Sequence, residues 1–214
     1  MKEQIRDKQK DWKGNKKSTF STIGSNAHSD NEREKNDYYA TDPKVIEKLF
    51  EVENFSDIIW EPACGEGHLS KEIEKYAKSV LSTDLIDRGY GTSGIDFLKE
   101  TGTWNGDIIT NPPYRFASEF VENSMNLIDK SEVQGLKVAM FLKILFLETQ
   151  KRKKLFEKYP PKIIYVFSKR VICALNGEFE KFRDKYGKNH GGAVAYAWFI
   201  WEKGYKGDTI IKWI

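Results

Sequence analysis

From residue 43 onward, short apolar runs alternate with stretches of helical spacing, and that alternation limits the folds open to the chain. Asp57-Ile58-Ile59-Trp60 is the first run, ending in Glu61-Pro62-Ala63-Cys64-Gly65-Glu66-Gly67. Leu69, Ile73, Tyr76 and Ala77 then fall on one helical face. Ser79-Val80-Leu81-Ser82-Thr83 reads as a second strand that stops at Asp84, and Asp107-Ile108-Ile109-Thr110 as another that stops at Asn111-Pro112-Pro113-Tyr114. Phe116, Phe120, Val121, Leu127 and Ile128 mark the helix after it. Leu136 to Leu142, Ile163 to Phe167 and Ala193 to Trp201 follow as strands, with helical spacing from Leu147 to Tyr159 and a last strand candidate at Thr209 to Trp213. Trp198, Phe199 and Trp201 are expected to alternate as core and surface cover. Strands interleaved with helices pack as a mainly parallel sheet with helices on both faces, an α/β fold.

A chain of 214 residues has room for one such domain plus a tail. Ahead of the domain, residues 1–17 hold seven Lys or Arg against three Asp or Glu, and residues 18–37 are rich in Ser, Asn and Asp. Residues 1–37 read as an arm that is flexible when free, either an inert tail or a basic segment that orders on a nucleic acid. The domain is expected over 38–214. Thr41 or Asp42 can cap a helix beginning at Pro43, with Val45, Ile46, Leu49 and Phe50 on one face.

The longest apolar run, Ala193 to Trp201, has nine residues. A helical membrane span needs roughly 20. Met1 to Lys17 has only Met1, Ile5 and Trp12 as large apolar residues, so no secretory signal is expected. Two cysteines, Cys64 and Cys173, give no disulfide framework and point to a reducing cytoplasm. His28, His68 and His190 show no ligand spacing, so no metal is expected.

Four constellations carry chemistry. Glu61 to Gly67 sits between strand and helix, where glycines allow a tight turn and close backbone approach. It lacks the third glycine of a dinucleotide site and the Lys-Ser/Thr pair of a phosphate loop. A carboxylate at Glu61 suits an ammonium group. Asp84 lies 23 residues later at a strand end, where an acid takes ribose hydroxyls or simply ends the strand. Asp96-Phe97 pairs a carboxylate with a ring, which fits an amine-bearing base or an ordinary turn. Asn111-Pro112-Pro113-Tyr114 is the specific signal. Its prolines remove two N–H donors, so acceptors dominate beside a stacking ring. That array suits a planar amino group.

On these residues the chain resembles the S-adenosylmethionine-dependent amino-methyltransferases, specifically the N6-adenine DNA methyltransferases. Asn111 to Tyr114 matches their catalytic motif. Glu61 to Gly67 resembles their first cofactor motif, and Tyr39-Ala40-Thr41-Asp42-Pro43 the segment before it. The likeness covers about 38–114. From Val138 onward it is looser, similar to the small phage and prophage adenine methyltransferases, including Gly191-Gly192-Ala193 and Trp201 to Gly207.

The resemblance implies a Rossmann-like seven-stranded sheet with a reversed strand near the C-terminus. It implies that Glu61, Ala63, Gly65 and Gly67 hold the methionine end of S-adenosylmethionine, with Thr41 and Pro43 against its carboxylate. Asp84 would take the ribose hydroxyls, and Asp96 the cofactor's adenine amine, with Phe97 against that ring. Asn111 and the Pro112 carbonyl, held by Pro113, would accept from the target amine while Tyr114 stacks on the flipped-out base. The amine would attack the sulfonium methyl directly and in line.

Only 22 residues separate Asp84 from Asp107, so the third strand must be short or absent. No room remains for a separate target-reading domain. DNA contact is expected from 169–190, where Lys169, Arg170, Lys181, Arg183, Lys185 and Lys188 interleave with Phe179, Phe182 and Tyr186. Lys151-Arg152-Lys153-Lys154 is either a second phosphate contact or a solvated helix face. A protein glutamine amide or a guanine amine in RNA could meet the same acceptors. A catalytically silent nucleic-acid binder could keep the same fold.

Overall fold

The computed structural model describes residues 40–42, 44–169, 171, 173–174 and 194–214, with Ala40, Thr41, Cys173 and Ala174 described by backbone alone. The expected arm, 1–37, lies outside the described residues, as do 170, 172 and 175–190 of the expected contact insert, 169–190. Asp42 Oδ1 accepts the Lys44 N–H at 3.1 Å and its carbonyl accepts from Val45 at 3.0 Å. The acid thereby caps α1 (Lys44–Val52), which buries Val45, Ile46 and Leu49.

The strands are β1 (Ala40–Thr41), β2 (Ile58–Glu61), β3 (Ser79–Asp84), β4 (Thr92–Ser93), β5 (Asp107–Thr110), β6 (Lys137–Lys143), β7 (Ile163–Val166), β8 (Cys173–Ala174), β9 (Tyr196–Glu202) and β10 (Ile210–Trp213). Eight of them form one sheet in the order β10-β7-β9-β6-β5-β2-β3-β4. Only β9 runs against its neighbours, with Phe199 opposite Met140 of β6 and Ile164 of β7. Helices α2 (Ser70–Ile73), α3 (Ala117–Asp129) and α4 (Gln150–Lys158) complete the fold. A separate ribbon pairs Thr41 of β1 with Cys173 of β8.

The expected seven strands are eight. The strand beyond the seven candidates is the short third one, and the last candidate, Thr209 to Trp213, forms as β10, pairing in parallel with β7 at the sheet edge after the reversed β9. Ile210, Ile211 and Trp213 are all exposed there. The third strand is short, as its spacing requires: β4 has two residues.

β9 places large side chains on both faces of the sheet. Ala197, Phe199 and Trp201 join the cluster under α3 and α4, and Trp198 and Ile200 the cluster under α1. Trp198 Nε1 donates to the Val45 carbonyl and Trp201 Nε1 to the Tyr159 carbonyl, each at 3.0 Å. All three rings of Trp198, Phe199 and Trp201 are core, so the expectation of surface cover fails because helices cover both faces. Each such burial contributes roughly 1.5–3 kcal/mol. α2 is also shorter than its spacing predicts. Leu69 and Ile73 reach the core, but the chain then turns toward β3, leaving Tyr76 exposed and stacked on Phe50 at 4.4 Å. Among the described residues no helix is long and apolar enough to cross a membrane.

Candidate active site

β2 lies between β3 on one side and β5 on the other, so successive connections leave it in opposite directions. Ligands of open α/β sheets bind at the carboxyl ends of the strands beside such a reversal. A cavity of about 230 Å³ opens there, lined by the ends of β2, β3 and β5 and the segments that follow them.

Glu61 ends β2 and is 1% exposed. The Ser70 hydroxyl donates to Glu61 Oε2, and Ser70 and Ser82 hydroxyls lie 2.6 Å apart. Burial pushes the Glu61 carboxyl up to about 8, against the opposing effect of the Ser70 hydrogen bonds. The acid is therefore neutral near pH 7 until a cation or further donors reach it. Ala63 and Cys64 line the same wall. The Cys64 thiol is pushed up to about 12 by burial and by the Glu61 and Asp84 carboxylates, so it is a packed side chain and not a nucleophile.

Gly65 and Gly67 shape the turn and do not line the cavity. Both have positive φ, 56° and 79°. The Gly65 N–H is used on Asp84 Oδ2 at 2.8 Å, and the Gly67 N–H on the Cys64 carbonyl at 2.8 Å. A Cβ at Gly67 would meet the Tyr90 ring at 2.4 Å.

Asp84 ends β3 and faces the cavity, its second oxygen accepting the Ile86 N–H at 2.8 Å. Asp96 faces it as well, with Oδ1 on the Leu98 N–H at 3.2 Å and Oδ2 at 3.0 Å from the exposed Lys99 ammonium. Phe97 lines the cavity but is mostly core, edge-on to Trp60 at 5.1 Å and tilted on Phe120 at 4.9 Å. Thr41 is placed by its backbone in β1, and Pro43 lies outside the described residues.

Asn111 follows β5 directly, with Oδ1 out of contact with solvent. The Pro113 carbonyl is used on the Phe116 N–H at 2.8 Å, closing the turn Tyr114–Phe116. Asn111 and Pro112 both line the cavity. All four residues, Asn111, Pro112, Pro113 and Tyr114, line it together with Glu61, Asp84 and Asp96. The structure thus brings the separated motifs into one site: an acidic wall from β2, β3 and the Asp96 turn, and an acceptor-and-ring wall after β5.

No protein-family model matches the chain, and no curated protein matches it. Solved structures do. A protein assigned as the modification subunit of a type I restriction enzyme from Vibrio vulnificus YJ016 superposes with TM-score 0.57 at 15% identity, over 83% of this chain and 47% of that one. The type I restriction-modification methyltransferase subunit from Streptococcus thermophilus gives 0.54 at 11% identity, over 83% and 47%. A protein assigned as a class I S-adenosylmethionine-dependent methyltransferase from Listeria monocytogenes gives 0.51 at 13% identity, over 80% and 64%. The shared feature is the fold. The chain spans about half the length of the two restriction-modification subunits.

Leu85, Ile86, Arg88 and Phe120 also line the cavity. Sequence reasoning passed over them because none belongs to a motif; their only signal is position just after a strand-ending acid or on the inner face of α3. Of the basic stretches, Lys151 pairs with Glu119 at 2.9 Å, Lys153 with Glu157 at 3.7 Å, and Arg152 donates to the Leu145 carbonyl at 2.8 Å. That stretch is a salt-bridged helix face. Lys169 is described; Arg170, Lys181, Arg183, Lys185 and Lys188 lie outside the described residues. Among the described residues no three His, Cys, Asp or Glu side chains gather as a metal site would require.

Proposed function

We propose that the chain transfers a methyl group from S-adenosylmethionine to the N6 amine of adenine in DNA. The observation that carries this reading is that the Asn111–Tyr114 tetrapeptide and the three carboxylates Glu61, Asp84 and Asp96 line one cavity. The donor chemistry of the cofactor fits that wall. An ammonium, vicinal ribose hydroxyls and an exocyclic amine are all donors, and Glu61, Asp84 and Asp96 are all acceptors. When bound, S-adenosylmethionine supplies an electrophilic methyl on a sulfonium.

The chain's own residues then handle the amine. The lone pair of an adenine amine is delocalised into the ring and is a poor nucleophile. Asn111 Oδ1 and the Pro112 carbonyl accept its two N–H groups and draw the nitrogen toward tetrahedral geometry, which localises that pair. The rigid Pro112-Pro113 step fixes both acceptors before substrate arrives, so no reorganisation is needed during reaction. Tyr114 replaces the stacking a base loses on leaving the duplex, about 1–3 kcal/mol. No strong base is required, because the methylated ammonium is acidic and loses its proton readily.

The test is expression in a host without adenine methylation. Genomic DNA should acquire N6-methyladenine with the native chain and far less with Asn111→Ala. Absence of the modified base with a folded, expressed native chain counts against DNA adenine as substrate.

A further inference from the structure

Lys143 is the last residue of β6, and its ammonium lies 4.6 Å from the centroid of the Tyr114 ring. Its cross-strand partner is Tyr196, whose ring is 6.1 Å from that of Tyr114 and is stacked on Phe141 at 5.0 Å. The lysine therefore stands on the end of a buried central strand, beside the stacking ring of the site. Among the described residues no carboxylate comes within salt-bridge distance of it, although Lys137 at the other end of the same strand is bound to Glu53 at 2.6 Å. A cation held against an aromatic face with no acid to neutralise it is a site for an incoming anion.

We infer that Lys143 binds the backbone phosphate of the nucleotide whose base stacks on Tyr114. The inference rests on the proposed function and makes the substrate more specific: the site takes a nucleotide within a polymer, not a bare amide. A nucleotide's phosphate is one sugar away from its base. A base on Tyr114 thus carries an anion to the neighbourhood of this ammonium. A protein glutamine side chain would bring no such charge. Tyr114 lines the cavity, and Lys143 stands against that ring.

The experiment is equilibrium binding of a fluorescent DNA duplex across a potassium chloride series. The proteins compared are the native chain, Lys143→Met, Lys143→Arg and, as a control of equal charge loss at the far sheet edge, Lys212→Met. Lys143→Met keeps the aliphatic stem over Tyr114. It should weaken binding and reduce the slope of log affinity against log salt by about 0.9, the value of one duplex phosphate contact. Lys143→Arg and Lys212→Met should keep the native slope. Cofactor affinity, measured separately, should be the same in all four. An unchanged slope in Lys143→Met, or an equal loss in Lys212→Met, overturns the inference. A native chain that binds no DNA overturns it together with the proposed function. If the slope changes as expected but no methyl reaches adenine, Lys143 stands as a phosphate contact and the proposed reaction falls.

Discussion

Asp84 Oδ2 accepts the Gly65 N–H at 2.8 Å, so the carboxylate that ends β3 fastens the turn that follows β2. Its other oxygen holds the Ile86 N–H at 2.8 Å. One side chain thus sets two segments of the cavity wall. Asp84→Asn replaces an acceptor with an amide that, in one orientation, points a donor at a donor. It should cost about 1.5–3 kcal/mol of stability through weakened charge-assisted bonds. It should also lower cofactor affinity at least tenfold. Thermal melts and calorimetric titration separate the two effects; an Asp84→Asn chain with native affinity would remove the ribose role.

Glu61 makes the apo protein sensitive to pH. Its folded value of about 8 lies above the ordinary 4.5, so between them the folded chain holds a proton that the unfolded chain has lost. Stability from this group is present below about pH 4.5 and declines as pH rises toward 8. Glu61→Gln should flatten that decline and raise Tm at pH 8. A cationic ligand favours the ionised acid and releases the proton. Cofactor affinity should therefore increase with pH up to about 8, then level, and the increase should vanish in Glu61→Gln. Calorimetry in buffers of different ionisation enthalpy reads the released proton directly.

On the proposed reading, Asn111→Ala removes one of two acceptors for the target amine. Transfer should fall by about 10²–10³, the range for losing one preorganised transition-state contact. Cofactor affinity should stay within about threefold. Loss of cofactor binding instead would place Asn111 on the other ligand.

Gly67 combines a positive φ of 79° with a ring where its Cβ would be, at 2.4 Å. Gly67→Ala should destabilise by about 1–3 kcal/mol through overpacking, with a further ~1 kcal/mol from backbone strain. Adding Tyr90→Ala should recover the steric part and leave the strain. A double-mutant cycle by denaturant titration measures the split; strict additivity would mean the Tyr90 ring moves away freely.

The sequence made most of the sheet readable because the runs at Ile58, Val80, Ile108 and Val138 are apolar, and the first three stop at residues that end a strand. The site was readable for the same reason: in a parallel sheet the residues just beyond strand ends converge, so Glu61, Asp84 and Asn111 meet although far apart in sequence. Three features escaped. β4 is two exposed residues and so has no apolar run to place it. The β1–β8 ribbon is two residues a side, below any periodicity. Ser70 donates to Glu61 from an unremarkable helix start, and the acid's pKa is raised by its burial, which spacing does not encode. Gly65 and Gly67 were read for close ligand approach, whereas their amides are used on Asp84 and Cys64.

The proposed function requires that the acidic wall and the Asn111–Tyr114 wall form one methyl-transfer site for adenine in DNA. The direct measurement is transfer of radiolabelled methyl from S-adenosylmethionine to mixed-sequence duplex DNA, with nucleoside analysis of the product. The account predicts label in N6-methyladenine, reduced at least a hundredfold in Asn111→Ala. Label in another base, or none in DNA with cofactor bound, would contradict it.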